Sequence, residues 1–126
     1  MNMEPLSPLD IEAKLRSLVN QLGRAQAALR EARDAEVDAR HAYESARRRA
    51  LLSDKSPKVT RGGYTVAEQQ AWVDQQCEDL RFAADKATVV REAAQDHLRV
   101  TLAQAEIVRS LGASVRQAFS MAGIGT

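Results

Sequence analysis

Apolar side chains in the first half of the chain fall at Ile11, Leu15, Leu18, Leu22, Ala25, Leu29, Ala32, Ala39, Tyr43, Ala46 and Ala50, in alternating steps of four and three once Glu36 is counted in the series. That spacing is a heptad seam and predicts one long amphipathic helix over about residues 8–52. Ser7-Pro8-Leu9-Asp10 supplies its start, with Ser7 as N-cap, Pro8 at the first helical position and Asp10 able to complete a capping box. Residues 53–64 carry Pro57, Gly62, Gly63 and several turn formers, and read as a loop. Thr65-Val66-Ala67-Glu68 forms a second capping box and opens a second helix over about residues 65–119, leaving 120–126 as a frayed tail.

The expected seam of the second helix is Val73, Gln76, Leu80, Ala83, Ala87, Val90, Ala94, Leu98, Leu102, Ala105 and Val108, and successive steps of four between Val90 and Leu102 predict a stutter. Folded back to back, the two helices make a single all-α domain, a long antiparallel helical hairpin that is coiled-coil-like in its packing. Such a fold-back sets Leu51 opposite Val66 and Ile11 opposite Glu106. The second helix then overhangs, exposing Ile107, Val108, Leu111, Val115 and Phe119 at helical spacing. An apolar patch of that kind is expected to be an oligomerisation surface, the alternative being a bend at Gly112 that folds it over the hairpin's base.

Composition reinforces the elongated picture. The 126 residues are 44% hydrophobic and 28% charged, but 22 are Ala and only five are Phe, Trp or Tyr. Alanine faces suit closely packed helices that gain buried area from a partner subunit, so a homo-oligomer is expected. Cys77 is alone, which excludes an internal disulfide framework and fits a reducing, cytoplasmic setting. Residues 1–5 lack the features of a secretory signal, and no apolar run is long enough to cross a bilayer. Arg outnumbers Lys 14 to 4, a bias of GC-rich bacterial or bacteriophage genomes.

The formal net charge of +1 hides a polarised distribution: residues 40–61 hold seven basic against two acidic side chains, and residues 66–96 hold seven acidic against three basic. Some of these charges are expected to pair across the hairpin. The run Arg47-Arg48-Arg49 fans around the helix, so at least one of its members points away from the partner helix. With Lys55, Lys58 and Arg61 it makes a cationic, flexible tip beside the ring of Tyr64, the minimum equipment for single-stranded nucleic acid; a loop kept soluble by charge is the plainer alternative. Trp72 is expected to plug the hairpin's end, or else to offer a second stacking face.

Catalytic chemistry lacks a scaffold. The sequence has no glycine-rich phosphate loop, no paired cysteines and no nucleophile elbow, and His41 and His97 are far apart and expected at the surface or flanking the seam. Cys77 is expected to flank the seam, inert, and Glu36 to fix register or to admit a partner, a tolerated exposed charge being the equal alternative. No enzyme activity, cofactor, metal or small-molecule substrate is expected.

Taken together, the capped first helix, Arg47-Arg48-Arg49, the Lys- and Gly-bearing loop from Lys55 to Gly63, the long second helix and the apolar end resemble the UvsY-type recombination mediators of bacteriophages. The resemblance implies an oligomeric protein that binds single-stranded DNA and helps load a RecA-like recombinase onto strands covered by single-strand-binding protein. It implies DNA contacts at Arg47, Arg48, Arg49, Lys55, Lys58 and Arg61, and assembly through residues 107–119. The competing expectation is a coiled-coil interaction module, such as a phage assembly factor, an adaptor or an inhibitor of a host protein, with no nucleic-acid role.

Overall fold

A computed structural model describes residues 7–123. The expectations placed on residues 1–5, and on the tail at 124–126, lie outside the described residues. The described fold is all-α, with helices α1 (Pro8–Leu52), α2 (Val66–Gln76) and α3 (Glu78–Met121). No helix among the described residues is long and apolar enough to cross a membrane.

Both helix starts form as their sequences dictate. Asp10 N donates to Ser7 Oγ and Ser7 N to Asp10 Oδ2, each at 3.2 Å. The Ser7 backbone bond, followed by its hydroxyl, holds the Asp10 carboxyl below its ordinary pKa. Thr65 and Glu68 close the reciprocal box of α2, Glu68 N reaching Thr65 Oγ1 at 3.2 Å. These bonds satisfy amide donors that a helix N-terminus otherwise leaves without partners.

The helices sort into two compact units, one of residues 7–29 with 94–123 (the terminal unit) and one of residues 30–93 (the loop unit). In the terminal unit Ile11, Leu18, Ala25 and Leu29 of α1 are buried, as are Thr101, Ala105 and Gly112 of α3. The helices run antiparallel: Ile11 lies at Gly112, while Gln21, Arg24, Ala25 and Ala28 share a groove with His97. In the loop unit the same sense of pairing brings Glu36 to Arg91, Arg40 to Thr88 and Arg47 to Asp74.

Every expected seam position of α1, from Ile11 to Ala50, is buried or half-buried. The second half of the chain differs from expectation in three ways. First, its helix is broken: Cys77 leaves helical geometry with φ −109° and ψ 12°, although Cys77 N still bonds Val73 O at 3.1 Å and Arg81 N bonds Cys77 O at 2.9 Å.

Second, the seam is Val73, Cys77, Ala84, Ala87, Arg91, Ala94, Leu98, Thr101, Ala105, Val108, Gly112, Val115 and Phe119, all buried or half-buried. Gln76, Leu80, Ala83, Val90 and Leu102 face solvent, and from Ala84 onward the spacing has no stutter. Polar neighbours take the places of Val90 and Leu102 with their polar atoms satisfied: Arg91 Nε donates to Glu36 at 3.2 Å, and Thr101 Oγ1 donates to the His97 carbonyl at 2.8 Å. Cys77 belongs to the seam and is only 2% exposed.

Third, pairing runs further along α3 than a symmetric fold-back allows. Arg40 reaches Thr88 while Arg47 reaches Gln70 and Asp74, so the stretch of chain containing the Cys77 break is longer than the stretch of α1 it faces. Within the terminal unit Ile11 meets Gly112 rather than Glu106, so closely that a Cβ added at Gly112 would lie 2.8 Å from Ile11 Cγ2. The overhang expected from Ile107 onward therefore begins later, with α3 continuing past Gly112 to Met121.

Candidate nucleic-acid interface

The loop end of the loop unit collects the basic residues singled out from sequence, and the structure divides them into two groups. Arg47 is engaged. Its Nη1 donates to Tyr43 Oη and Asp74 Oδ1, both at 3.3 Å, and its Nη2 donates to Gln70 Oε1. The Tyr43 bond is the first cause pushing its pKa further up. Arg47 thus ties α1 to α2, and its charge is shared with Asp74. Arg48 and Arg49 are exposed at the end of α1, Arg48 touching only Ser45 Oγ at 3.4 Å among the hydrogen bonds described.

Lys55, Lys58, Arg61 and Tyr64 are exposed on the loop. None of the ion pairs among the described residues uses Arg48, Arg49, Lys55, Lys58 or Arg61. The cationic excess is therefore available to an external anion, whereas exposed pairs elsewhere, such as Arg16 with Glu12, neutralise their charge locally.

The loop was expected to be flexible, yet it carries its own hydrogen bonds. Ser53 N bonds Ala50 O at 3.2 Å, Ser56 N bonds Ser53 O at 3.0 Å, and Gln69 Nε2 of α2 holds the Pro57 carbonyl at 3.1 Å. Gly62 sits at φ +81°, a left-handed conformation that glycine adopts without strain, and Gly63 N closes the turn onto Thr60 O at 3.0 Å. A Cβ at Gly63 would collide with the Thr60 hydroxyl. An isolated bridge then joins Val59 to Tyr64.

This turn leaves an open cleft of about 520 Å³ lined by Asp54, Lys55, Ser56, Pro57, Lys58, Thr60, Gly63, Tyr64 and Trp72. Tyr64 is 53% exposed, and Trp72, half-buried, forms part of the wall rather than a sealed plug. Sequence reasoning offered Trp72 as an end plug or a stacking face, and it missed one participant of the lining. Ser56 gave no signal, yet its Oγ is enclosed with no hydrogen-bond partner among the described residues.

The five residues expected to form an assembly surface also divide. Val108, Val115 and Phe119 are half-buried on the seam side of α3, whereas Ile107 is 61% and Leu111 43% exposed. Val100, Ile107, Leu111 and Ser114 follow a second heptad on one flank of α3, and Glu106, Ile107, Ser110, Leu111 and Ser114 line a shallow apolar hollow there. His41 and His97 are exposed, and no cluster of three or more His, Cys, Asp or Glu capable of holding a metal occurs among the described residues.

No family model, curated protein or solved structure matches this chain.

Proposed function

We propose that this chain is a single-stranded-nucleic-acid-binding accessory protein of recombination or replication that works as a self-associated assembly. The observation that carries the reading is the loop-end cleft, lined by Lys55, Lys58, Tyr64 and Trp72 among others, in the same unit that exposes Arg48, Arg49 and Arg61. Ammonium and guanidinium groups outside any intramolecular ion pair attract the phosphates, and aromatic rings supply stacking faces that accept any base. A single loop offers few contacts, so affinity requires several loops on one strand, which self-association through the Ile107–Leu111 flank of α3 would provide. The likeness to UvsY-type mediators extends this to loading a RecA-like recombinase, in phage-infected or bacterial cytoplasm.

The test is binding of a labelled single strand across a salt series, with molar mass measured in parallel. Affinity should fall steeply with salt, the slope of log K against log salt being about −0.7 for each phosphate engaged. Arg48→Ala with Arg49→Ala and Lys58→Ala should flatten that slope while leaving the helix content intact. Salt-independent binding, or none, overturns the reading. Ile107→Ser with Leu111→Ser should lower the mass of the assembly and weaken strand binding with it.

The same apolar flank favours a second reading, a coiled-coil interaction module whose partner is another protein. That reading is distinguished by recovery of one discrete partner from nuclease-treated lysate, with binding abolished by the Ile107 and Leu111 changes and indifferent to the loop.

A further inference from the structure

We propose that the loop-end cleft is a receptor for one unpaired nucleobase together with its phosphate, so that the protein distinguishes single strands from duplex by base capture and not by charge alone. This rests on the nucleic-acid reading above and goes further, because phosphate attraction by itself needs no cavity. The volume of about 520 Å³ lies within the range of roughly 300–1,000 Å³ usual for small-ligand sites. Its lining combines the two requirements of a nucleotide. Lys55 and Lys58 stand in the lining for the phosphate, and Tyr64 and Trp72 are its aromatic residues, whose rings would stack on the base.

Ser56 supplies an independent indication. It is only 7% exposed, it belongs to the cleft lining, and its Oγ has no hydrogen-bond partner among the described residues. Enclosed hydroxyls are ordinarily satisfied, and this one lies just behind the cleft lining, where the polar edge of a ligand would complete its bonding once the loop wall yields. A nucleobase carries such an edge once it is unpaired; in a duplex that edge is occupied by the complementary base, and the faces are stacked. Gly63 contributes by having no side chain beside Thr60, where a Cβ would collide with the hydroxyl. Asp54 is the carboxylate of the lining, and its charge is outweighed by the two lysines.

Because Trp72 is the chain's single tryptophan, its emission reports directly on the cleft. The full chain is titrated with an oligothymidylate, an oligouridylate, an abasic strand of the same length, a matched duplex, and polyglutamate. Both base-bearing strands should quench Trp72. The abasic strand should bind about tenfold more weakly without quenching, the loss of one stacked base. Tyr64→Ala, at an exposed position, should lower oligothymidylate affinity about tenfold, leave the salt slope unchanged and leave abasic binding untouched. Trp72→Phe should retain most of the affinity that Trp72→Ala loses.

Equal binding of abasic and ordinary strands without a change in emission overturns the base receptor while leaving electrostatic strand binding in place. Absence of binding to every strand overturns both. Quenching by polyglutamate equal to that by oligothymidylate assigns the cleft to an acidic protein and also overturns the proposal.

Discussion

In the terminal unit Ile11, Leu18, Leu29 and Leu98 fill the seam around the small Ala25, Thr101 and Ala105, while in the loop unit, apart from the buried Val73 and Cys77, it holds Ala32, Glu36, Ala39, Ala46, Ala84 and Arg91. One pair of helices is closed by aliphatic burial, which is strong and non-directional. The other is closed by alanine contacts, which bring helices close with little buried area, and by directional polar links: Glu36 to Arg91, Arg40 to Thr88, and Arg47 to Gln70 and Asp74. Stability therefore concentrates in the terminal unit, and fixed register concentrates where the loop must be aimed. The proposed strand-binding site on the loop would draw on this division, since directional bonds hold a site in place better than apolar contacts do.

The sharpest way to break the contrast is to remove aliphatic bulk from the terminal unit. Leu18 is 1% exposed, and Leu18→Ala should cost roughly 2–5 kcal/mol of unfolding free energy, a large share of what a small domain possesses. Urea titration followed by circular dichroism measures it. If the loss were below that of any loop-unit variant, the assignment of stability to the aliphatic seam would be wrong.

Next in size is Arg47→Ala. Its guanidinium joins three side chains, so its removal leaves Asp74 and Gln70 without their α1 partner. The side chain is 35% exposed, so water screens the interaction, and a cost of about 1 kcal/mol is expected. Strand affinity should drop through misplacement of α2 and its Trp72, with the salt slope little changed. Arg48→Ala and Arg49→Ala should do the reverse, leaving stability alone and reducing the slope.

The same contrast explains which parts of the fold were legible in the sequence. The α1 seam could be read completely, because leucine and alanine at heptad spacing carry their own signal. On α3 the reading favoured Val90 and Leu102 over Arg91 and Thr101 by hydropathy, and it failed at those positions for a physical reason. The arginine is satisfied by a carboxylate 55 residues away, and the threonine hydroxyl by its own helix, neither of which single-residue hydropathy records. The basic residues of the site were readable as charge. Their division into engaged Arg47 and open Arg48 and Arg49 depends on Asp74 and Gln70, and the cleft depends on a turn at Gly62 and Gly63 that places Trp72 beside Tyr64 across a gap in sequence.

A smaller effect, visible in pH, isolates the polar seam. Hydrogen bonds from Arg91, and then from Thr88, hold the Glu36 carboxyl below its ordinary pKa. A carboxylate whose pKa is lower folded than unfolded contributes stability that is complete above the unfolded value and disappears as pH falls through the folded one. Wild type should therefore lose stability on acidification through and below the ordinary glutamate range, and Glu36→Gln should lose less over the same interval while starting lower at neutral pH. Replacing Glu36 and Arg91 together by leucine should remove this pH dependence and equal or exceed the wild-type melting temperature, converting the loop unit's seam to the terminal unit's kind. An unchanged acid profile in Glu36→Gln would refute the linkage.

The smallest expected effect has the opposite sign and probes glycine within the terminal unit. Gly23 lies inside α1 with open space around a built Cβ, whereas a Cβ at Gly112 would press on Ile11 Cγ2. Gly23→Ala should stabilise by roughly 0.5–1 kcal/mol, because alanine restricts the unfolded chain and favours the helix at no steric cost. At Gly112 the same propensity gain, about 1 kcal/mol, competes with an overpacking cost of about 1–3 kcal/mol, so Gly112→Ala should be neutral or destabilising. Ile11→Val, which shortens the opposing side chain, should move the Gly112→Ala effect toward that of Gly23→Ala if Ile11 is what resists. Equal gains at both glycines would mean that α1 and α3 do not approach at Ile11 and Gly112, and the register assigned to the terminal unit would have to move.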